Sequence, residues 1–269
     1  MLFVSPRPRE EDLDEIYGHD YFHGTGQFGN PDGYQEHATG YLTRARLMVG
    51  WLTSSCKISR GRWLDIGCGP GYLVQAAAEA GFEALGVDVS VEAVELGRSR
   101  GLKLFHSKAE KVGATVTGAF QVITLFDTLF HLQQPRIVLD QAFRLLASGG
   151  VLMAGPFDLH ANPLKPQPGR ERLDPKAMGV PEHLSFVNQT SMEVLLHSLG
   201  FKNLRFVPMP RNPGEVVQRR VGRIPGWLLS LVKRVLDFFP GLRLLLHRVL
   251  ARQVNLEAGY VIAVRPGDR

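Results

Sequence analysis

The chain has 269 residues, 44% hydrophobic and 21% charged, which is enough apolar material for one sizeable α/β core or two small ones and too much for a disordered chain. Its formal charge of +5 is uneven: residues 219–252 hold eight Lys or Arg against one acid, so that window carries +7 and the remainder −2, unlike an enzyme that surrounds a nucleic-acid cleft with basic charge. Two cysteines, Cys56 and Cys68, are too few for a disulfide framework and stand in no metal-ligand spacing, so a reducing, cytoplasmic compartment and no metal are expected.

The first residues turn charged after four apolar ones, which leaves no apolar core for a secretory signal. Residues 1–40 are punctuated by Gly and Asn-Pro and read as a lid segment of loops and turns, ahead of a main domain over 41–269. From Tyr41 to Leu52 the positions of Leu42, Ala45, Leu47, Met48, Trp51 and Leu52 fit one helical face. Strands and helices then alternate. Arg62–Ile66 is a strand, Gly71–Ala80 a helix stopped by Gly81, and Glu83–Val87 a strand ending at Asp88. Ser90 caps a helix over Val91–Arg100, with Glu92 in its first turn. Lys103–His106 is a third strand, and Phe120–Phe126 reads as a fully apolar strand of the buried, parallel-sheet kind. A helix over Arg136–Ala147, a turn at Ser148-Gly149-Gly150 and a strand over Val151–Ala154 follow. The pattern lapses for about thirty proline-rich residues after Gly155. Thr190 then caps a helix through Leu199, with strands over Asn203–Val207 and Ala258–Val264. Strands joined by such helices predict a doubly wound parallel sheet.

Asp65-Ile66-Gly67-Cys68-Gly69-Pro70-Gly71 sits between a strand and a helix, where glycines allow a tight turn and close approach of backbone to a ligand. Asp88, 21 residues after Gly67, ends the next strand, and a carboxylate there can accept both ribose hydroxyls of an adenosine moiety. The dinucleotide fingerprint needs a small residue at position 72, which here is Tyr72. Pyrophosphate is thereby disfavoured, and the spacing points to another adenosyl ligand.

With WLDIGCGPG (63–71), GVDVS (86–90), FQVITLFDTLFHLQQP (120–135), LLASGGVLMAGP (145–156) and PEHLSF…LLHSLGF (181–201), the chain resembles the class I S-adenosylmethionine-dependent methyltransferases of small-molecule type. The resemblance covers roughly residues 20–208 and the last strand. It implies a seven-stranded sheet of order 3-2-1-4-5-7-6 with the seventh strand antiparallel, and S-adenosyl-L-methionine as cofactor. By that match Asp65, Gly67, Gly69 and Gly71 shape the methionine-side pocket and Asp88 holds the ribose, with Cys68 and Val89 as further cofactor contacts; the N-terminal aromatic segment resembles one that covers the donor, with Tyr21 as the contact, or is an exposed tether with a few aromatics packed on the core. Where relatives carry Asp-Ala after the third strand, this chain has Lys108-Ala109-Glu110, so Glu110 or backbone alone meets the adenine amine. Where many carry Glu-His after the fourth, it has Phe130-His131, which removes an acid and keeps a histidine.

Methyl transfer requires positioning of donor and acceptor and, for some acceptors, removal of one proton. His131 and His183 are the candidates for that step, both expected at the cleft edge, with packing under the cofactor and loop anchoring as their respective alternatives. Asp127 can contact the donor's charged end or cap a turn. The reading is a methyltransferase acting on a small or amphiphilic acceptor at oxygen. A non-catalytic donor-binding module and, on a similar sheet, an NAD-dependent oxidoreductase are the alternatives. No Asn-Pro-Pro-aromatic or Asp-Pro-Pro-aromatic signature of flipped-base chemistry follows the fourth strand, so no nucleic-acid partner is expected.

The basic window belongs to an insertion at about 211–255. Trp227, Leu228, Leu231, Val235 and Phe238, and after Pro240-Gly241 also Leu242, Leu245, Leu246, Val249 and Leu250, fall at helical intervals opposite arginines and lysines. Two readings stand for residues 224–252: peripheral contact with an anionic membrane surface, or a cap packed on the core or on a second subunit of a homodimer. Co-sedimentation with anionic vesicles at low salt separates them.

Overall fold

Strand β1 (Arg62–Ile66) has β2 (Glu83–Asp88) on one side and β4 (Phe120–Phe126) on the other, and the chain crosses to the second side only after adding β3 (Leu104–His106) outside β2. With β5 (Leu146–Asp158), β6 (Lys202–Pro208) and β7 (Ala258–Val264) the sheet takes the order 3-2-1-4-5-7-6. Pairings among the first five strands are parallel, and β7 runs against both β5 and β6. The resemblance implied this order and this reversed strand. The computed structural model describes residues 2–9, 12, 16, 38–158, 182–208 and 258–267. The donor contact expected of Tyr21 and the insertion expected at about 211–255 therefore lie outside the described residues.

Alternation along the strands divides the apolar side chains between two cores. Trp63, Val122, Met153, Tyr260 and Ile262 face α1 (Ala38–Cys56), α2 (Tyr72–Glu79) and α3 (Val91–Ser99), meeting Met48, Leu52, Ala76 and Val94. Leu64, Ile123, Leu152, Val261 and Ala263 face α4 (Val112–Thr115), α5 (Pro135–Leu145) and α6 (Gln189–Ser198), meeting Val112, Val138, Leu139 and Leu196. Covering both faces suits a mostly parallel sheet, whose central strands have no polar side to turn to water.

The structure revises several boundaries. Helix α1 begins at Ala38, inside the expected lid segment. The Ser148-Gly149-Gly150 turn is part of β5: pairing jumps from Phe120↔Leu146 to Val122↔Val151, and Gly149 takes φ 75, so the extra residues form an irregularity within one strand. Helix α6 is capped by Asn188, whose side chain accepts from Ser191 N while the Ser191 hydroxyl accepts from Asn188 N, so the cap is not Thr190. Leu2–Phe3 pairs antiparallel with Ser185–Phe186, a contact too short to leave a periodic trace in the sequence.

Candidate active site

The carboxyl ends of β1, β2 and β4 meet where the strand order reverses, the place at which doubly wound sheets bind ligands. A cleft of about 650 Å³ opens there, within the range of small-molecule sites. The glycine loop forms its floor. Gly67 N and Cys68 N both donate to Val87 O, at 2.8 and 3.1 Å, which clasps the loop to β2. Asp88 completes the clasp: its Oδ2 accepts from Gly69 N at 2.7 Å and its Oδ1 from Ser90 N at 2.9 Å. Val89 N also bonds the carboxylate, which with about four lone-pair sites keeps acceptor capacity for a ligand.

Gly67 and Gly69 line the cleft in left-handed backbone, at φ 75 and 50, and nothing lies within 4 Å of where a Gly69 Cβ would stand. Gly71 is not in the wall. It is the N-cap of α2 at φ 82, and its missing side chain makes room for Leu102 and Leu104, so its part is packing. Tyr72, the residue that breaks the dinucleotide fingerprint, lines the cleft and stacks on Tyr41 with ring centroids 5.8 Å apart. The Arg100 guanidinium covers the Tyr72 ring at 4.7 Å.

Asp65 is buried at 3% exposure yet borders the cleft, and its Oδ1 accepts from Thr124 Oγ1 at 2.7 Å. Burial raises its carboxyl to about 7, against the Thr124 hydrogen bond and helped by the nearby Asp88 charge. Burial also lifts the Asp88 carboxyl, opposed by its backbone donors, and holds the Cys68 thiol well above its ordinary value. The Asp65 shift fixes a sign. The folded chain binds that proton more tightly than the unfolded one, so the stabilisation is complete below about pH 4 and is lost as pH rises to 7. Asp65→Asn cannot ionise, and relative to the wild type it is expected to gain up to about 4 kcal/mol between pH 4 and pH 8. Thermal melts of both proteins at the two pH values measure this, and a constant difference in Tm would contradict it.

Asp127 follows β4 in left-handed backbone, φ 52, a conformation that an aspartate tolerates but rarely adopts. Arg44 of α1 approaches its carboxylate at 3.6 Å and donates to Tyr260 Oη at 3.4 Å. Although 55% of the Asp127 side chain is exposed, through the cleft mouth, surrounding protein raises its carboxyl, with Arg44 and His183 pulling the other way. Burial, with Asp127 nearby, lifts the Tyr260 phenol to about 12.

His131 lines the cleft and its Nδ1 lies 3.0 Å from Glu182 O. A carbonyl only accepts, so Nδ1 carries the hydrogen and Nε2 the lone pair. Burial, then the neighbouring His183, lowers the ring to about 4, so it is neutral at pH 7. His183 does not reach the cleft wall as expected. It packs edge-on against Phe130 and His131, at 4.6 and 4.9 Å between ring centroids. Glu110 and Val89 line the far end, where Glu110 Oε1 accepts from Gln134 N at 3.1 Å and Val89 O accepts from His106 Nε2 at 2.9 Å. The residues that sequence reasoning missed are Arg44, Thr124, Thr128 and Lys108. Arg44 carried a signal, a cation beside the apolar face of the helix preceding the first strand.

A family model described as a methyltransferase domain matches residues 34–205. The chain is similar to the ubiquinone biosynthesis O-methyltransferase of Psychrobacter arcticus, 32% identical over 107 residues that make up 37% of this chain and 42% of that protein. It therefore spans less than half the length of that relative. With the protein of the same name from Thiobacillus denitrificans it shares 26% identity over 186 residues, 64% of this chain and 78% of the relative. Among solved structures, Haemonchus contortus phosphoethanolamine N-methyltransferase 2 in complex with S-adenosyl-L-methionine superimposes with a TM-score of 0.58 at 19% identity, over 95% of this chain and 59% of that one. At that identity the likeness is one of fold. The match to the methyltransferase domain spans most of the chain, including the glycine loop, Asp88 and the segment after β4, and the protein belongs to the class I S-adenosylmethionine-dependent methyltransferases.

Proposed function

We propose that the enzyme moves the methyl group of S-adenosylmethionine to an oxygen of a small or amphiphilic acceptor. The residues present fit the donor. The glycine loop leaves open space at Gly69, a carboxylate ends β2, and Asp65 is a buried acid without a cation in hydrogen-bond contact among the bonds described, a natural seat for an ammonium group. Asp88 would take the ribose hydroxyls through its remaining lone pairs, Asp65 the amino group and Arg44 the carboxylate of the donor's amino-acid end. Bound there, S-adenosylmethionine supplies an electrophilic methyl group on a positively charged sulfur.

His131 carries the assignment to oxygen. A hydroxyl acceptor must lose its proton during transfer, and a neutral imidazole with its tautomer fixed by Glu182 O presents a lone pair for it. His183 would act beside it, orienting the ring by edge-on packing and helping to keep it neutral. The names of the similar O-methyltransferases agree with this reading. The basic stretch 224–252, whose sequence spaces apolar residues at helical intervals, supports an amphiphilic acceptor.

His131→Asn keeps a side-chain N–H able to reach Glu182 O and removes Nε2. It is expected to lower kcat by about 100-fold or more while leaving donor affinity within about threefold, as read from turnover and calorimetric titration; unchanged kcat would remove His131 from the chemistry. Incubation with methyl-labelled donor and matched panels of hydroxylated and amine acceptors, with products located by mass spectrometry, tests the function itself. Transfer to amines alone would overturn the oxygen assignment, and donor binding without any turnover would favour the non-catalytic module.

A further inference from the structure

Behind the cleft three side chains form a hydrogen-bond chain that runs toward Asp65 when its carboxyl is ionised. Trp63 and Asp65 lie two residues apart on β1, and the parallel register sets Thr124 of β4 directly beside Asp65. Trp63 Nε1 is 3.1 Å from Thr124 Oγ1, which is 2.7 Å from Asp65 Oδ1. Trp63 and Thr124 are fully buried and neither lines the cleft. An indole N–H can only donate, so the Thr124 oxygen accepts from Trp63 and its single proton goes onward. The alternative acceptor, Leu64 O, is farther away at 3.4 Å. A hydroxyl that already accepts one bond is the better donor for the next.

We propose that Trp63 and Thr124 are positioning residues that favour the ionised form of Asp65, with Oδ1 bonded to the core, and so ease the proton loss by which the carboxylate receives the ammonium end of the methyl donor. This rests on the reading of Asp65 as a donor-binding residue. The relay works against a hostile setting. Around Asp65 stand the Asp88 carboxylate from β2 and the un-ionised Cys68 thiol from the loop, while Arg44 of α1 and Asp127 after β4 border the same cleft. Donor binding then requires Asp65 to give up its proton, and the relay sets the pH at which it does so.

The test is the affinity for S-adenosylhomocysteine, which has the same amino-acid end and is chemically stable, titrated calorimetrically against the full chain between pH 6 and pH 8. The wild type is expected to bind more tightly as pH rises through about 7. Thr124→Val is nearly isosteric and removes the hydroxyl donor to Oδ1. It is expected to move that midpoint up by about one pH unit, which weakens binding about tenfold at pH 6 and only about twofold at pH 8. Trp63→Phe should shift it in the same direction by less. A loss of affinity equal at every pH, or an unmoved midpoint in Thr124→Val, would overturn the relay. Asp65→Asn separates the two levels: if it binds like the wild type across the range, the donor-binding reading of Asp65 fails, whereas weakened binding in Asp65→Asn with an unmoved Thr124→Val midpoint condemns the relay alone.

Discussion

Asp88→Ala is expected to raise the dissociation constant for S-adenosylmethionine by about 100-fold or more, since it removes two charge-assisted acceptors at about 1.5–3 kcal/mol each. One loss is direct, the pair of ribose hydroxyls. The other is structural, because Gly69 N and Ser90 N lose the oxygens that set the glycine loop and the start of α3. Asp88→Asn separates these contributions. Its amide keeps one acceptor oxygen and presents N–H groups where the second stood, so either Gly69 N or Ser90 N meets a donor and the loop is only partly held. Affinity measured by calorimetry for both variants, with ligand-free thermal melts as the control for loop damage, gives the division. Donor affinity in Asp88→Ala within about fivefold of the wild type would mean that the ribose is held elsewhere, since even one lost charge-assisted bond costs more than that.

Gly67→Ala is expected to be the most destabilising single change in the loop. A Cβ there would stand 2.3 Å from Thr128 Oγ1, 2.5 Å from Cγ2 and 2.9 Å from Cβ. The backbone at Gly67 is left-handed as well, φ 75, and donates to Val87 O, so it cannot simply turn away. Thr128 cannot yield easily either: it is 8% exposed and its hydroxyl donates to Phe126 O at 2.8 Å. Overpacking together with backbone strain amounts to about 3–5 kcal/mol, a fall in Tm on the order of 10 °C for a domain of this size. Combining it with Thr128→Gly, which removes all three colliding atoms, should recover the steric part and leave the backbone part. If Gly67→Ala alone melts close to the wild type, the loop does not have this conformation in solution.

The parts of this molecule that were legible in the sequence are those with local signatures. β4 and β7 have the boundaries read from their apolar runs, and Ser90 caps α3 as its hydroxyl and position require. Sheet order came only with the family resemblance, because strand pairing is a long-range choice that periodicity does not record. The glycine loop and Asp88 were legible because backbone geometry restricts which residues can occupy such turns. Thr124 was not. It stands in a run read as fully apolar, and only the register of β1 against β4 shows that it faces an acid. The sequence puts His183 at the cleft edge because its loop is expected there, but the ring packs edge-on against Phe130 and His131, a packing fact with no local trace. Gly71 was grouped with its neighbours by motif, although its φ serves the start of α2.

The corner formed by Arg44, Asp127 and Tyr260 also orders events in time. Arg44 reaches its phenol partner across 216 positions of chain, on the last strand of the sheet to be synthesised. β7 is nevertheless an interior strand, lodged between β5 and β6. On the ribosome, β1, β2 and the glycine loop between them can therefore pair while synthesis continues, whereas the wall beside Asp127 has to wait for β7 to insert between two strands made earlier. Such non-local pairing is the slow kind. The glycine-loop side of the cleft is thus able to assemble well before the corner of Arg44, Asp127 and Tyr260, and the cleft is complete only once β7 is in place.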